Sequence, residues 1–290
     1  MGEAERSFLR EGELAGAPYR LGVPHQLQRG LAGTRVGRGV GSSLEFLDHR
    51  EYQPGDDIRH INWQALARSD RLSIKLFREE ISPHADVLFD TSASMDLPGT
   101  PKGRAALGLT ALLAKAADNA GFTCTPWRIA AGCERVRDGH LPPSAWEGID
   151  LAAGEDGGEA LARLPPAWRP HGLRVLISDL LWATDPAAML RLLAHQAAAV
   201  LVVQVLAQSE LQPDFQGNIR LIDRETGREE EVFLDQAAIA RYQAHLARHQ
   251  DHWLLACRRV GATLVTIVAE RLVADWKPTP IVEQQFLTTA

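Results

Sequence analysis

The chain has 290 residues, 45% apolar and 23% charged, enough to bury a sizeable core without disulfide staples. Its formal net charge of −6 arises beyond residue 85, because residues 1–85 hold 12 basic and 12 acidic side chains. That balance leaves no basic field to hold nucleic acid, and three cysteines (Cys124, Cys133 and Cys257) without a C-x-x-C spacing argue against a disulfide framework or a zinc knuckle.

The chain opens MGEAERSFLR, with acids where a signal peptide needs a basic patch and an apolar run. The longest apolar stretches, around 175–181 and 197–207, are too short to span a bilayer. A cytoplasmic protein with no membrane span is expected. Residues 1–34 read as an N-terminal arm. From Leu14 to Leu44 the chain carries Arg20, Arg29, Arg35 and Arg38 and no acid; a solvated Gly-rich arm is the plain reading, contact with an acidic partner the alternative.

Residues 35–85 form a distinct segment dense in potential ion pairs: Arg50, Asp56, Asp57, Arg59 and Arg68. Pro54-Gly55-Asp56 is a turn signature, and Tyr52 and Trp63 are expected beside guanidinium planes. A rigid ion-paired loop buttressing the fold accounts for these residues without any binding role.

From residue 86 onward strand and helix patterns alternate. Residues 86–90 are a short apolar run ending at Asp90. Thr100 and Pro101 start a helix over 102–120, which Gly121 ends. Strands follow at 122–130 and, as a short edge strand, 133–138. Residues 139–172 are rich in Gly, Pro and acid, with one helical stretch near 157–164. The run 173–179 is almost wholly apolar and ends at Asp179, as a buried central strand does. Asp185 and Pro186 then open a helix to His195. A strand at 199–206 precedes a hairpin at 217–234 with a polar turn. A long helix runs over 235–260 to Gly261, and 262–268 is the last strand. The tail, 271–290, reads as irregular. This alternation predicts an α/β fold with a mainly parallel sheet and helices on both faces. Ligands of such sheets sit beyond the carboxyl ends of the strands, where both Asp90 and Asp179 fall.

Asp90, Ser92 and Ser94 form a D-x-S-x-S spacing after a strand. Residues two apart in such a loop can aim oxygens at one point, and hard cations such as Mg²⁺ take oxygen ligands. The plain alternative is a loop-to-helix turn, which Asp and Ser favour anyway. Trp182, just past Asp179, reads as core, with a contact role at the metal face as the alternative. His245, His249 and His252 read as a solvated or partly packed helix face rather than a metal pair. There is neither a G-x-x-x-x-G-K loop nor a G-x-S-x-G elbow.

The spacing at Asp90, Ser92 and Ser94, with Asp179 later, resembles the metal-ion-dependent adhesion site of the von Willebrand factor A fold. The resemblance implies Mg²⁺, or Mn²⁺ or Ca²⁺, ligated by Ser92 and Ser94 with Asp90 and Asp179 acting largely through water. It also implies a threonine in an intervening loop. No threonine lies between Pro126 and Gly172, and spacing puts Glu155 or Asp156 near that position.

The order R-x-Y-x-x-G-D-D-x-R-x-I-x-W-x-x-x-A-R, from Arg50 through Tyr52, Gly55, Asp56, Asp57, Arg59 and Trp63 to Arg68, resembles the domain-of-unknown-function 58 family. The resemblance covers about residues 35–270. It implies a bacterial or archaeal protein in which residues 35–85 pack on a von Willebrand factor A-like doubly wound domain over 86–270. It also implies pairing with a MoxR-type AAA+ ATPase, as an adaptor maturing a client protein. The expected function is a non-enzymatic, metal-dependent protein-interaction module. Two alternatives stay open: a metal-dependent hydrolase or phosphotransferase using Asp90, and a structural protein with a degenerate metal site.

Overall fold

The structure is a computed structural model, and it describes residues 2–24, 46–53, 61–69, 72–77, 83–151, 157–163, 166–224 and 227–289. In chain order the elements are α1 (Glu3–Gly16), β1 (Tyr19–Leu21), β2 (Phe46–Glu51), α2 (Trp63–Ser69), β3 (Ser73–Phe77) and β4 (His84–Asp90). Next come α3 (Lys102–Asn119), β5 (Thr123–Ile129), β6 (Cys133–Arg135), α4 (Gly157–Arg163), β7 (Leu173–Ser178), α5 (Pro186–Ala194) and β8 (Ala199–Leu206). The chain closes with α6 (Gln208–Leu211), β9 (Gly217–Ile222), β10 (Glu229–Leu234), α7 (Gln236–Val260), β11 (Thr263–Val268), α8 (Ala269–Asp275), α9 (Thr279–Glu283) and β12 (Leu287–Thr289).

The chain divides into two compact units, residues 30–82 and residues 1–29 together with 83–290. In the smaller unit β2 and β3 pair antiparallel, and Ile61 bridges to Ile74. The Asn62 side chain accepts Ala65 N–H at 3.1 Å, which caps α2.

In the larger unit six strands form one sheet in the order β11-β8-β7-β4-β5-β6. All neighbours run parallel except β5 and the edge strand β6. The mainly parallel α/β architecture read from the sequence is therefore present. Because side chains alternate across a strand, each central strand serves two cores. Val87, Phe89, Val175, Ile177, Val203 and Val205 face a core shared with α1, α3 and α8. Leu88, Leu176, Val200 and Val202 face the core of α4, α5 and α7. This parity puts Asp90 and Ser178 on the second face, which positions the site.

The helix boundaries follow from named residues. Gly121 and Gly261 adopt φ of 75° and 72°, the left-handed conformation that ends α3 and α7 at little cost in glycine. Asp185 and Asp235 accept Ala187 N–H and Ala238 N–H at 3.1 and 2.6 Å, capping α5 and α7. The hairpin β9–β10 pairs antiparallel from Ile222↔Glu229 to Gly217↔Leu234, as its polar turn suggested.

The two termini differ from the expectation. Residues 1–34 were expected as an arm, and 271–290 as an irregular tail. Instead α1 packs along α3, and β1 pairs with β12 in the register Tyr19↔Thr289 to Leu21↔Leu287. Leu9, Gly12 and Gly16 form the buried side of α1, and a β-carbon on Gly12 would collide with the Gly108 carbonyl. Close backbone approach at the glycines lets the stripe of Phe8, Leu9 and Ala15 reach the core. Asn119 then holds the end of α1, donating to the carbonyls of Gly16, Ala17 and Tyr19. Among the described residues no helix is long and apolar enough to cross a membrane.

Candidate functional site

Strand β4 ends at Asp90, and the chain turns at once. Thr91 fastens the turn to β5, its N–H and hydroxyl both donating to Ile129 O at 3.0 and 2.7 Å. Ser92 N–H donates to Asp90 Oδ1 at 2.9 Å, an Asx turn. One helical turn over Ala93–Met95 follows. It brings the Ser92 and Ser94 hydroxyls to 3.0 Å from each other. Ser92 is buried and Ser94 half-buried, so the pair lies at the rim of the strand end.

Asp90 is 1% exposed. Its Oδ2 accepts from Ser178 Oγ at 2.7 Å and from Trp182 Nε1 at 2.9 Å. Trp182 is fixed in turn by an edge-on contact with Trp253, ring centroids 5.9 Å apart. Burial, and then the nearby charge of Asp179, push the Asp90 carboxyl up to about 6. Hydrogen bonds from Ser92 and Ser178 partly counter that rise.

Asp179 follows β7, with Leu180 held at φ 58° by the turn. Asp179 Oδ1 accepts Leu181 N–H at 3.0 Å, and Oδ2 accepts Lys102 Nζ at 2.8 Å. Lys102 Nζ also reaches Glu210 Oε1 at 2.7 Å. Burial alone would depress the Lys102 ammonium, but the charges of Asp179 and Glu210 raise it above its ordinary 10.5, so it stays a cation. Two carboxylates, Asp179 and Glu210, thus share one buried ammonium. Ion pairs of this sort stand in low dielectric only when every partner is hydrogen-bonded.

The structure brings Asp90, Ser92 and Ser94 together, with Asp179 on the neighbouring strand end. Glu155 and Asp156, expected near the missing threonine, lie outside the described residues. Gly55, Asp56, Asp57 and Arg59 also lie outside them. Arg50 lies within β2, and Tyr52 N–H donates to Leu72 O at 2.9 Å. Trp63 and Arg68 are exposed on α2, Trp63 at 64%. Trp182 is core, as its plain reading had it, and also a hydrogen-bond donor to the site. His249 Nε2 lies 2.6 Å from Leu180 O and 3.1 Å from Trp253 Nε1, a packed rather than ligating position. Sequence reasoning missed Lys102, Ser178 and Glu210. One signal existed: a lysine in the first turn of a helix opposes the helix dipole and calls for an acidic partner.

Among the described residues no three His, Cys, Asp or Glu side chains gather to hold a metal. An ion here would rest on serine hydroxyls beside a carboxylate. The serine pair fits that role. Octahedral Mg²⁺ ligands at about 2.1 Å stand roughly 3 Å apart when adjacent, the separation of the Ser92 and Ser94 oxygens.

A family model described as "Protein of unknown function DUF58" matches residues 48–132 and 150–252. Uncharacterised proteins of Mycobacterium tuberculosis and Mycobacterium bovis are 27% identical to this chain, over 93% of its length and 89% of theirs. Among solved structures, the conserved hypothetical protein BatB from Bacteroides thetaiotaomicron overlaps 70% of this chain and 98% of its own, at 11% identity and a TM-score of 0.34. An aerotolerance-related membrane protein from Bacteroides fragilis overlaps 69% of this chain and 99% of its own, at 14% identity and a TM-score of 0.32. Superposition this loose carries no weight for function.

Proposed function

The chain belongs to the DUF58 family of proteins of unknown function, and from that premise we propose that it is a non-enzymatic, divalent-metal-dependent protein-interaction module of von Willebrand factor A type. Its proposed role is that of an adaptor between a MoxR-type AAA+ ATPase and a client protein. The observation that carries the reading is the Ser92–Ser94 hydroxyl pair, 3.0 Å apart at the rim of a strand end whose buried carboxylate is Asp90. When bound, Mg²⁺ would supply a hard positive centre with open positions for an acidic group of the partner.

The residues around the pair do the positioning. Asp90 fixes the Ser92 backbone through Oδ1 and is locked from behind by Ser178 and Trp182. Both its oxygens are engaged by donors, which suits a scaffold for an ion better than a nucleophile. His249 already faces Leu180 O and Trp253, so this imidazole is not free to act as a general base beside Asp90. The ATPase partner comes from the family resemblance; the sequence has no phosphate-cradling loop of its own.

The test is a binding measurement between the purified full chain and the MoxR-type ATPase encoded in the same genome, in Mg²⁺ and in EDTA. The proposal expects a complex in Mg²⁺ that is lost in EDTA and in Ser94→Ala. Equal binding in all three conditions, or none in any, would overturn it.

A further inference from the structure

Lys102 opens α3, in the turn where the helix's own partial positive charge disfavours a cation. It is nonetheless fully buried. An ammonium stays in such a place only if it is paired on all sides. Nζ is 2.8 Å from Asp179 Oδ2 and 2.7 Å from Glu210 Oε1. Each acid is itself anchored: Asp179 Oδ1 accepts Leu181 N–H, and Glu210 Oε2 accepts Ala207 N–H at 2.7 Å. The contacts join three elements: the start of α3, the end of β7 and α6.

An ammonium and a divalent ion compete for the same carboxylate. Each needs its lone pairs, and the two cations repel strongly in a poorly hydrated pocket. We propose that Lys102 is a built-in cation that withholds Asp179 from any divalent ion bound at Asp90, Ser92 and Ser94, and so sets the affinity of the site. This deepens the metal-dependent reading and rests on it. It also gives the lysine a purpose that packing alone does not, since a methionine of similar length fills the same volume without the cost of desolvating a charge. Removing the ammonium frees one carboxylate and adds one net negative charge to the pocket. Both changes favour a hard cation.

The experiment titrates Mn²⁺ into the full-length wild type and Lys102→Met by calorimetry, with melting temperatures in EDTA and in Mn²⁺ alongside. Lys102→Met should bind Mn²⁺ tighter by on the order of tenfold or more. It should also melt lower than wild type in EDTA and regain more on adding Mn²⁺. Lys102→Met/Glu210→Gln removes a cation and an anion together, freeing Asp179 without the added negative charge; it should show a smaller gain in the same direction and keeps the test decisive if the single variant does not fold. Mn²⁺ binding by wild type with no gain in the folded variants overturns the role of Lys102 and leaves the metal reading standing. Binding by the variants but not by wild type supports the role of Lys102 and overturns the metal reading for the native chain. Binding by none overturns both.

Discussion

Asp90 opposes the stability of the fold that it helps to organise. Its carboxyl titrates at about 6 in the folded protein against an ordinary 3.8, first because it is buried and then because Asp179 is near. Folding therefore favours the protonated form. The stability this contributes is complete below about pH 4 and is lost as pH rises through 6, with a ceiling of about 3 kcal/mol by pH 7. Urea unfolding in EDTA at pH 4 and pH 7 tests this against Asp90→Ala, which lacks the titrating group. The difference in unfolding free energy between wild type and variant should change by about 2–3 kcal/mol between the two pH values; a constant difference would contradict it. The site was only partly legible at this scale. Asp90, Ser92, Ser94 and Asp179 stand out because polar residues closing apolar strands are conspicuous. Ser178 does not, since a serine inside a buried strand looks like any small residue. Nor does Glu210, whose link to Lys102 spans more than a hundred residues.

Elements with one dominant signal were read correctly. Strands β4, β7 and β8 are buried on both faces and are built around short apolar runs. Helices α3 and α7 end at glycines in the left-handed region. Helix α1 was missed although Phe8, Leu9, Gly12, Ala15 and Gly16 recur on one face at the helical period; two glycines in that face hide it from a count of large apolar residues. That face gives a prediction with a definite sign. Gly12→Leu gains up to about 1 kcal/mol of helix propensity, but the new side chain meets the Gly108 carbonyl, which is backbone and cannot swing away. Overpacking of this kind costs about 1–3 kcal/mol, so the clash wins and thermal melting should fall by several degrees. Ser7→Leu, on the exposed side of α1, is the control. An unchanged melting temperature in Gly12→Leu would show that α1 does not pack on α3 in solution.

For the whole molecule, a mainly parallel sheet gathers the ends of β4 and β7 at one edge. The adjacent cores hold Asp90 and its donors rigid, so that the Ser92 and Ser94 hydroxyls are presented in a fixed geometry. The charge balance there is the decisive feature: Asp179 and Glu210 share the ammonium of Lys102, and Asp90 lies near enough to feel the charge of Asp179, which leaves a deficit of positive charge among the described residues. A deficit of this kind is relieved by a proton on Asp90 or by a bound cation. The sequence showed the two strand-end acids, whereas the balance between them depends on which side chains the fold brings near. The most direct test of the metal-dependent reading is Mn²⁺ binding by the full-length wild type against Ser92→Ala, followed by the paramagnetic signal of the free ion. The account predicts one bound ion in wild type, weakened at least about tenfold by loss of the hydroxyl ligand. Equal binding by the two proteins, or none by wild type, would contradict it.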